Sequence, residues 1–196
     1  MIRCFDILFS LAGLIILLPL FLIISLVIII DSHGGFFYYQ SRVGKNGKDF
    51  KLLKFRTMVT GAEKKGGLTI GARDGRITKS GYFLRKNKLD ELPQLINVLL
   101  GDMSLVGPRP EIRKYVDLYS DDQRMVLLVK PGITDWASIV FISENEILGR
   151  SSNPEKTYIE EIMPAKIELN KRYIKNRSLA EYFKILWLTT AKLSGG

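Results

Sequence analysis

The run Ile7-Leu8-Phe9-Ser10-Leu11-Ala12-Gly13-Leu14-Ile15-Ile16-Leu17-Leu18-Pro19-Leu20-Phe21-Leu22-Ile23-Ile24-Ser25-Leu26-Val27-Ile28-Ile29-Ile30 decides the fold of this chain, because 24 residues pass without a charge. About 20 apolar residues suffice to cross a bilayer as a helix, so the segment belongs in lipid. A cleaved signal peptide would have a shorter apolar stretch, of about 7–15 residues, followed by a small-residue cleavage site, and none follows here. Pro19 sits mid-run, where the missing N–H and the ring interrupt the helical ladder. Two geometries are open: a kinked transmembrane span, or a re-entrant hairpin that returns both flanks to one leaflet. Both flanks carry cations, with Arg3 and the amino terminus before the run and Arg42, Lys45 and Lys48 after it. Cations favour the cytoplasmic side, which suits the hairpin, while prolines are also common in simple spanning helices.

Outward from this segment the chain reads as an α+β, mostly helical protein. Residues 1–32 form the membrane element and 33–196 one compact interfacial domain with a small β-hairpin and amphipathic surface helices. A length of 196 residues suits one domain, and 46% hydrophobic with 25% charged residues is the composition of a folded protein. The net charge of +9 lies outside residues 1–30, where Arg3 and Asp6 cancel, so the partner is anionic: nucleic acid, acidic headgroups or a phosphorylated substrate. Cys4 is the only cysteine and His33 the only histidine. That excludes a disulfide framework, a His/Cys zinc site and a histidine-based triad, fits a reducing, cytosol-facing location, and leaves catalysis to carboxylates.

His33-Gly34-Gly35 ends the apolar helix, and Asn46-Gly47 marks a turn between strands 36–42 and 49–57. The period of two in the second strand puts Lys54 and Arg56 on one face, where two cations could grip a phosphate or serve as ordinary surface charges. Val59 to Thr78, with five glycines, reads as a long loop of the kind that forms lids, and Ser80 could cap a short helix carrying Tyr82, Phe83 and Arg85. Leu92, Leu95, Ile96 and Leu99 then fall at helical spacing, with Pro93 in the first turn and Gly101 as terminator.

Asp90 and Glu91 stand at the start of that helix. As a bland N-cap and a dipole partner they would need no further role. Arg85, Lys86 and Lys88 precede them, however, and Arg109 follows inside the rigid Gly107-Pro108-Arg109-Pro110. Carboxylates among cations at a helix N-terminus make a phosphate-handling site. An anionic nucleophile attacking a diphosphate needs arginines and a divalent metal to offset repulsion, and oxygen-only ligands point to Mg2+.

Four runs now stand in order: Lys54-Phe55-Arg56-Thr57-Met58, then Leu89-Asp90-Glu91-Leu92-Pro93-Gln94, then Gly101-Asp102-Met103-Ser104-Leu105-Val106-Gly107-Pro108-Arg109-Pro110, then Lys130-Pro131-Gly132-Ile133-Thr134. In order and spacing, over nearly the whole chain, they resemble the small monotopic phosphoglycosyl transferases, also called bacterial sugar transferases. The resemblance implies that Asp90 attacks the sugar-bearing phosphorus of a UDP-sugar, expels UMP and passes the phospho-sugar to polyprenol (undecaprenyl) phosphate at the cytoplasmic face of the inner membrane. It further implies that Glu91 assists with metal or proton handling and that Mg2+ bridges Asp90, Glu91 and the diphosphate. Lys54, Arg56, Arg85, Arg109, Pro131, Gly132 and Thr134 would bind substrate. Pro19 would be the kink of a re-entrant membrane helix, and the chain would be the minimal catalytic form.

One departure follows Thr134: where many relatives have glycine, this chain has Asp135-Trp136-Ala137-Ser138, a loop expected to help select the sugar. Lys130 stands where several relatives have arginine. Leu179, Tyr182, Phe183, Leu186 and Trp187 make an apolar stripe that would lie on the membrane or pack in the core. A non-catalytic, membrane-anchored basic lipid-binding scaffold would explain the apolar run and the charge, but gives Asp90 and Glu91 nothing to do. Nucleic acid is disfavoured, since the lysines are dispersed and no recognition helix or aromatic RNA platform is visible.

Overall fold

The computed structural model describes residues 1–62 and 74–194. The long glycine-rich loop read as a lid falls mostly on 63–73, outside the described residues. The apolar run forms one helix, α1 (Ile2–Asp31), that stays helical through Pro19. The expected break is therefore one missing rung inside a continuous helix, with Ile15 losing the partner that a non-proline residue would supply, rather than a separation into two helices.

After α1 come β1 (Phe37–Val43) and β2 (Asp49–Phe55), an antiparallel hairpin with Phe37 opposite Phe55 and Val43 opposite Asp49. Its turn uses Asn46 and Gly47 at positive φ, which asparagine and glycine tolerate best. Next are α2 (Lys79–Lys86), a 3-10 turn over Leu89–Glu91, α3 (Gln94–Leu100) and β3 (Ser104–Val106). The cap of α2 is Thr78, whose side chain accepts from Gly81 N, and not Ser80. Gly101 ends α3 at φ 99°, as its position predicts. Beyond lie α4 (Arg113–Val116), a 3-10 segment over Gln123–Leu128, β4 (Gly132–Thr134), α5 (Trp136–Val140), α6 (Glu144–Arg150) and α7 (Pro154–Thr157). A π-helical turn over Tyr158–Ile162 leads into α8 (Met163–Lys175), and α9 (Leu179–Ser194) follows.

Both ends of α1 rest on the same body. Near its start, Arg3 donates to the carbonyls of Val98 (2.5 Å) and Leu99 (3.0 Å) at the end of α3. There it compensates the carbonyl-rich helix terminus. Asp6, fully buried, accepts from Ser104 Oγ, Leu105 N and Tyr182 OH, tying α1 to β3 and α9. In the middle Gly13 faces Leu95, and further on Phe21, Ile24 and Ile28 pack with Phe55 and Leu84. At the far end Asp31 Oδ2 accepts from Ser80 N (2.9 Å) and Ser80 Oγ (2.8 Å). The other face of α1, including Leu8, Leu11, Ile15, Ile16, Leu22, Ile23 and Ile30, is bare. A continuous apolar strip that the fold leaves uncovered needs a non-aqueous neighbour.

The main core is built from Leu52, Val98, Met103, Leu105, Val106, Ile139, Tyr173, Tyr182 and Ile185. The predicted stripe of α9 divides in it. Tyr182 is buried with Ile185, which the spacing did not pick out, Phe183 stacks edge-on against Phe5 and Phe9 of α1, and Trp187 is 73% exposed.

Candidate active site

A cleft of about 1240 Å³ opens beside the 3-10 turn, lined by Lys54, Arg85, Asp90, Glu91 and Arg109, with Lys114, Glu144, Lys166 and Asn170 further along. Each of the first five arrives by its own device. Lys54 is delivered by β2. Arg85 sits in the last turn of α2, steadied by its Nε donating to Thr57 Oγ1 (2.8 Å). Lys88, in the left-handed region at φ 57°, turns the chain from α2 into the 3-10 turn that presents Asp90 and Glu91. A non-glycine residue there costs roughly 1–3 kcal/mol, offset by the packing on either side.

Arg109 is held by a close pairing of backbones. β3 and β4 run parallel, with Gly107 N donating to the Thr134 carbonyl and Gly132 N to the Pro108 carbonyl, both at 3.0 Å. A Cβ on Gly132 would lie 2.1 Å from Gly107 N, and one on Gly107 would lie 2.5 Å from the Lys130 carbonyl, so only glycine permits the approach. Asp135 caps α5 by accepting from Ser138 N (2.6 Å), and it also accepts from Arg109 N (3.2 Å) and from Asn170 Nδ2 (2.8 Å).

The two acidic neighbours have opposite surroundings. Glu91 accepts from Lys54 Nζ (3.0 Å) on Oε1 and from Arg109 through both carboxylate oxygens. Burial opposes its ionisation, but Arg109 and Lys54 together hold the carboxyl well below the usual range. Asp90 is only 8% exposed, and its carboxylate accepts no hydrogen bond among the described residues. Burial pushes it up, opposed by the charge of Lys54, and the negative charge of Glu91 adds to the rise. Burial lowers Lys54, with Glu91 pulling the other way, while the charge of Glu91 raises Arg109. The result is one ion-paired carboxylate and one bare, weakly solvated one, side by side. A bare carboxylate has its lone pairs free to bond to an electrophile.

Of the residues read as substrate-binding, the structure brings Lys54, Arg85 and Arg109 together around Asp90 and Glu91. Arg56 lines the same cleft with its guanidinium already engaged. Its Nη atoms donate to the carbonyls of Ser32 and Gly34 and to Thr60 Oγ1, and it also reaches the His33 carbonyl, so it closes the end of α1. Lys54 and Arg56 both line the cleft, but in the structure Lys54 is paired with Glu91 and the Arg56 guanidinium with the carbonyls that follow α1. Pro131 and Gly132 frame the β3–β4 pair, and Thr134 Oγ1 meets Thr189 Oγ1 at 2.7 Å on the cleft wall. The Asp135-Trp136-Ala137-Ser138 segment faces several ways. Asp135 is a buried support for Arg109, and Trp136 points to α9, donating to Glu181 Oε1 (2.7 Å) with Lys184 over its ring, so of the four only Ser138 lines the cleft.

Sequence reading missed a second support. Arg42 Nη1 donates to the Pro110 carbonyl and to Glu111 Oε1, both at 3.1 Å, and Tyr158 OH donates to Glu111 Oε2. This clamps the residues just after Arg109 to the hairpin and to the π-helical turn. The position of Glu111 directly behind Gly107-Pro108-Arg109-Pro110 is the one sequence signal that could have pointed to it.

Known proteins resemble this chain over most of its length. A UDP-N-acetylgalactosamine-undecaprenyl-phosphate N-acetylgalactosaminephosphotransferase of Aeromonas hydrophila is 38% identical over 180 residues, 90% of this chain and 40% of the relative. A UDP-glucose:undecaprenyl-phosphate glucose-1-phosphate transferase of Escherichia coli is 37% identical over 193 residues, 97% of this chain and 39% of the relative. The exopolysaccharide production protein ExoY of Sinorhizobium fredii is 38% identical over 147 residues, 67% of this chain and 65% of the relative. The chain thus spans about 40% of the length of the first two. The family described as bacterial sugar transferase matches residues 1–196, and the chain belongs to it.

Proposed function

We propose that this chain transfers a sugar phosphate from a UDP-sugar to polyprenol (undecaprenyl) phosphate, in two displacements at the cytoplasmic face of the bacterial inner membrane. In the first, a carboxylate oxygen of Asp90 bonds to the sugar-bearing phosphorus, and the bond from that phosphorus to the bridging oxygen breaks, UMP leaving with the electron pair. In the second, a phosphate oxygen of the lipid bonds to the same phosphorus and Asp90 leaves as carboxylate, giving a sugar on a lipid diphosphate. The observation that carries the reading is the bare carboxylate of Asp90, buried among Lys54, Arg85 and Arg109 and accepting no hydrogen bond among the described residues.

Arg109 and Lys54 stay ion-paired to Glu91 and present the remaining positive charge to phosphate, and Arg85 supplies a guanidinium from the other side. These groups offset the repulsion between nucleophile and diphosphate. Asp90, together with phosphate oxygens of the donor, would hold Mg2+. No cluster of three acidic, His or Cys side chains exists among the described residues, and Mg2+ is usually held by one or two carboxylates plus phosphate oxygens. Asp90 would hold it through a carboxylate oxygen, with Glu91 beside it kept in its pairing with Arg109 and Lys54. When bound, the ion would neutralise the diphosphate.

The docking of both ends of α1 on one body supports a re-entrant or in-plane membrane element over a spanning one. A 30-residue helix is about 45 Å long, and a span would carry one end roughly 30 Å away from the domain. A water-soluble donor and a lipid-bound acceptor phosphate meet only at the interface, and a cleft on the body that holds both ends of α1 suits that meeting. The test is UMP release from UDP-sugars in detergent without acceptor. Wild type is expected to release about one UMP per enzyme, and Asp90→Asn, close in shape but a far poorer nucleophile, none. Equal release by both would remove the role given to Asp90.

A further inference from the structure

The end of α3 away from Asp90 carries a second concentration of positive charge, and none of it lines the cleft. Gly101 closes α3 there, and the place that a Cβ on it would take lies 3.3 Å from Arg3 Nη2 and 3.4 Å from Lys130 Nζ. Two cations so close to one point repel each other unless negative charge stands between them. Arg3 has its partners in the carbonyls of Val98 and Leu99, at the negative end of α3. Lys130 has none: its half-buried side chain makes no hydrogen bond or ion pair among the described residues. Burial lowers the pKa of its ammonium, with the charges of Arg3 and Lys45 adding to the fall and those of Asp6 and Asp102 opposing it. Asp6 is already engaged by Ser104, Leu105 and Tyr182, and Asp102 is the acceptor of Asn97 Nδ2. Around this pair of cations the surface is apolar. Leu100, next to Gly101, is 74% exposed, Met1 is 89% exposed, and the bare face of α1 begins with Ile7 and Leu8.

We propose that Arg3 and Lys130 bind the headgroup phosphate of an anionic glycerophospholipid, with Leu100 beside its acyl chains. The occupant is a lipid because Arg3 stands in the first turn of the helix whose bare face needs a non-aqueous neighbour, so headgroups are held next to the two cations at high local concentration. It is a lipid of net negative charge because Arg3, Lys45 and Lys130 outnumber Asp6 and Asp102 here, and a zwitterionic headgroup would bring a further cation among them. A lipid so bound pins the start of α1 at the interface from the end of α3 opposite the catalytic pair, and it takes no part in the transfer itself.

An unpaired lysine reports on its own site. Wild-type protein in a neutral detergent is treated with an amine-reactive ester, and acylation of each lysine is followed by peptide mass spectrometry, with exposed Lys175 at the end of α8 as the reference. Dihexanoylphosphatidylglycerol is expected to slow acylation of Lys130 about fivefold and to leave Lys175 unchanged, while equal concentrations of dihexanoylphosphatidylcholine or inorganic phosphate change neither. Protection by inorganic phosphate to the same degree makes this a plain anion site and overturns the lipid assignment. Equal protection by both lipids, or equal slowing of Lys175, removes the charge recognition, and no protection by any of the three removes the site. Lys130→Gln, its folding checked by its thermal midpoint, is expected to bind dihexanoylphosphatidylglycerol about fivefold more weakly, read as lipid adducts retained on the intact protein. Adducts retained as in wild type would show that Lys130 does not hold the headgroup.

Discussion

Asp90 and Glu91 are chemically near-identical, and their surroundings divide the labour between them. Glu91 spends both oxygens on Arg109 and Lys54, which fixes the cations that line the cleft. Asp90 accepts no hydrogen bond among the described residues, burial raises its pKa, and on the proposed route it is the nucleophile. The sign of the pH dependence follows. A nucleophile must be ionised, so the UMP burst is lost as pH falls through the raised pKa of Asp90, with a midpoint above the ordinary aspartate value of about 3.9. A burst rate that stays flat down to that value would contradict the burial argument. The acidic pair and Arg85 and Arg109 were legible in the sequence because charge clustering around a helix start is a local pattern. The division between Asp90 and Glu91 was not, since it depends on Lys54, 37 residues from Glu91, choosing one carboxylate over the other.

At the scale of elements, helical spacing located α3 and its apolar face, with Leu92 and Leu95 packed against the core clusters, but not the polar side chain that fixes it. Leu92, Leu95 and Ile96 are half-buried, and the inner face carries Gln94, Asn97 and Val98. Asn97 acts as a substitute strand: its Oδ1 accepts from Leu53 N (2.9 Å) and its Nδ2 donates to the Lys51 carbonyl (2.8 Å), fastening α3 to the edge of β2. Apolar periodicity is blind to a polar residue whose partners are backbone atoms 44 and 46 residues away. Removing it leaves a buried N–H and a carbonyl without partners, at about 1–3 kcal/mol for each. Asn97→Ala is therefore expected to lower the thermal midpoint in detergent by several degrees and to weaken activity through misplacement of the turn before α3. An unchanged midpoint would show that the clasp contributes nothing to stability. The hairpin and the turn at Asn46-Gly47 were read correctly because their signal is entirely local, whereas the parallel β3–β4 pair joins segments nearly 30 residues apart and was seen only as two motifs.

For the whole molecule, α1 works as membrane element and as part of the domain's core at once. Its buried strip includes Asp6, a carboxylate that no hydropathy scan would place inside an apolar helix's contact surface, yet its acceptance from Ser104, Leu105 and Tyr182 registers the helix against β3, which leads straight to Arg109. The sequence told of an apolar helix with a central proline and left its course open, because the side chains that decide it, Arg3, Asp6 and Asp31, lie at or beyond the ends of the run. With both ends on one body, Cys4, which is exposed, is expected to react with a membrane-impermeant thiol reagent from the same side of intact vesicles as a cysteine added at the C-terminus. Labelling from opposite sides would mean that α1 spans. The central claim, that sugar phosphate rests on Asp90 between donor and acceptor, is tested most directly by the mass of the intact protein after quenching with UDP-sugar in the absence of lipid. The account predicts a gain of one sugar phosphate, mapped to the peptide holding Asp90 and discharged on adding polyprenol phosphate. Turnover to lipid product with no protein-bound sugar phosphate at any time would contradict it.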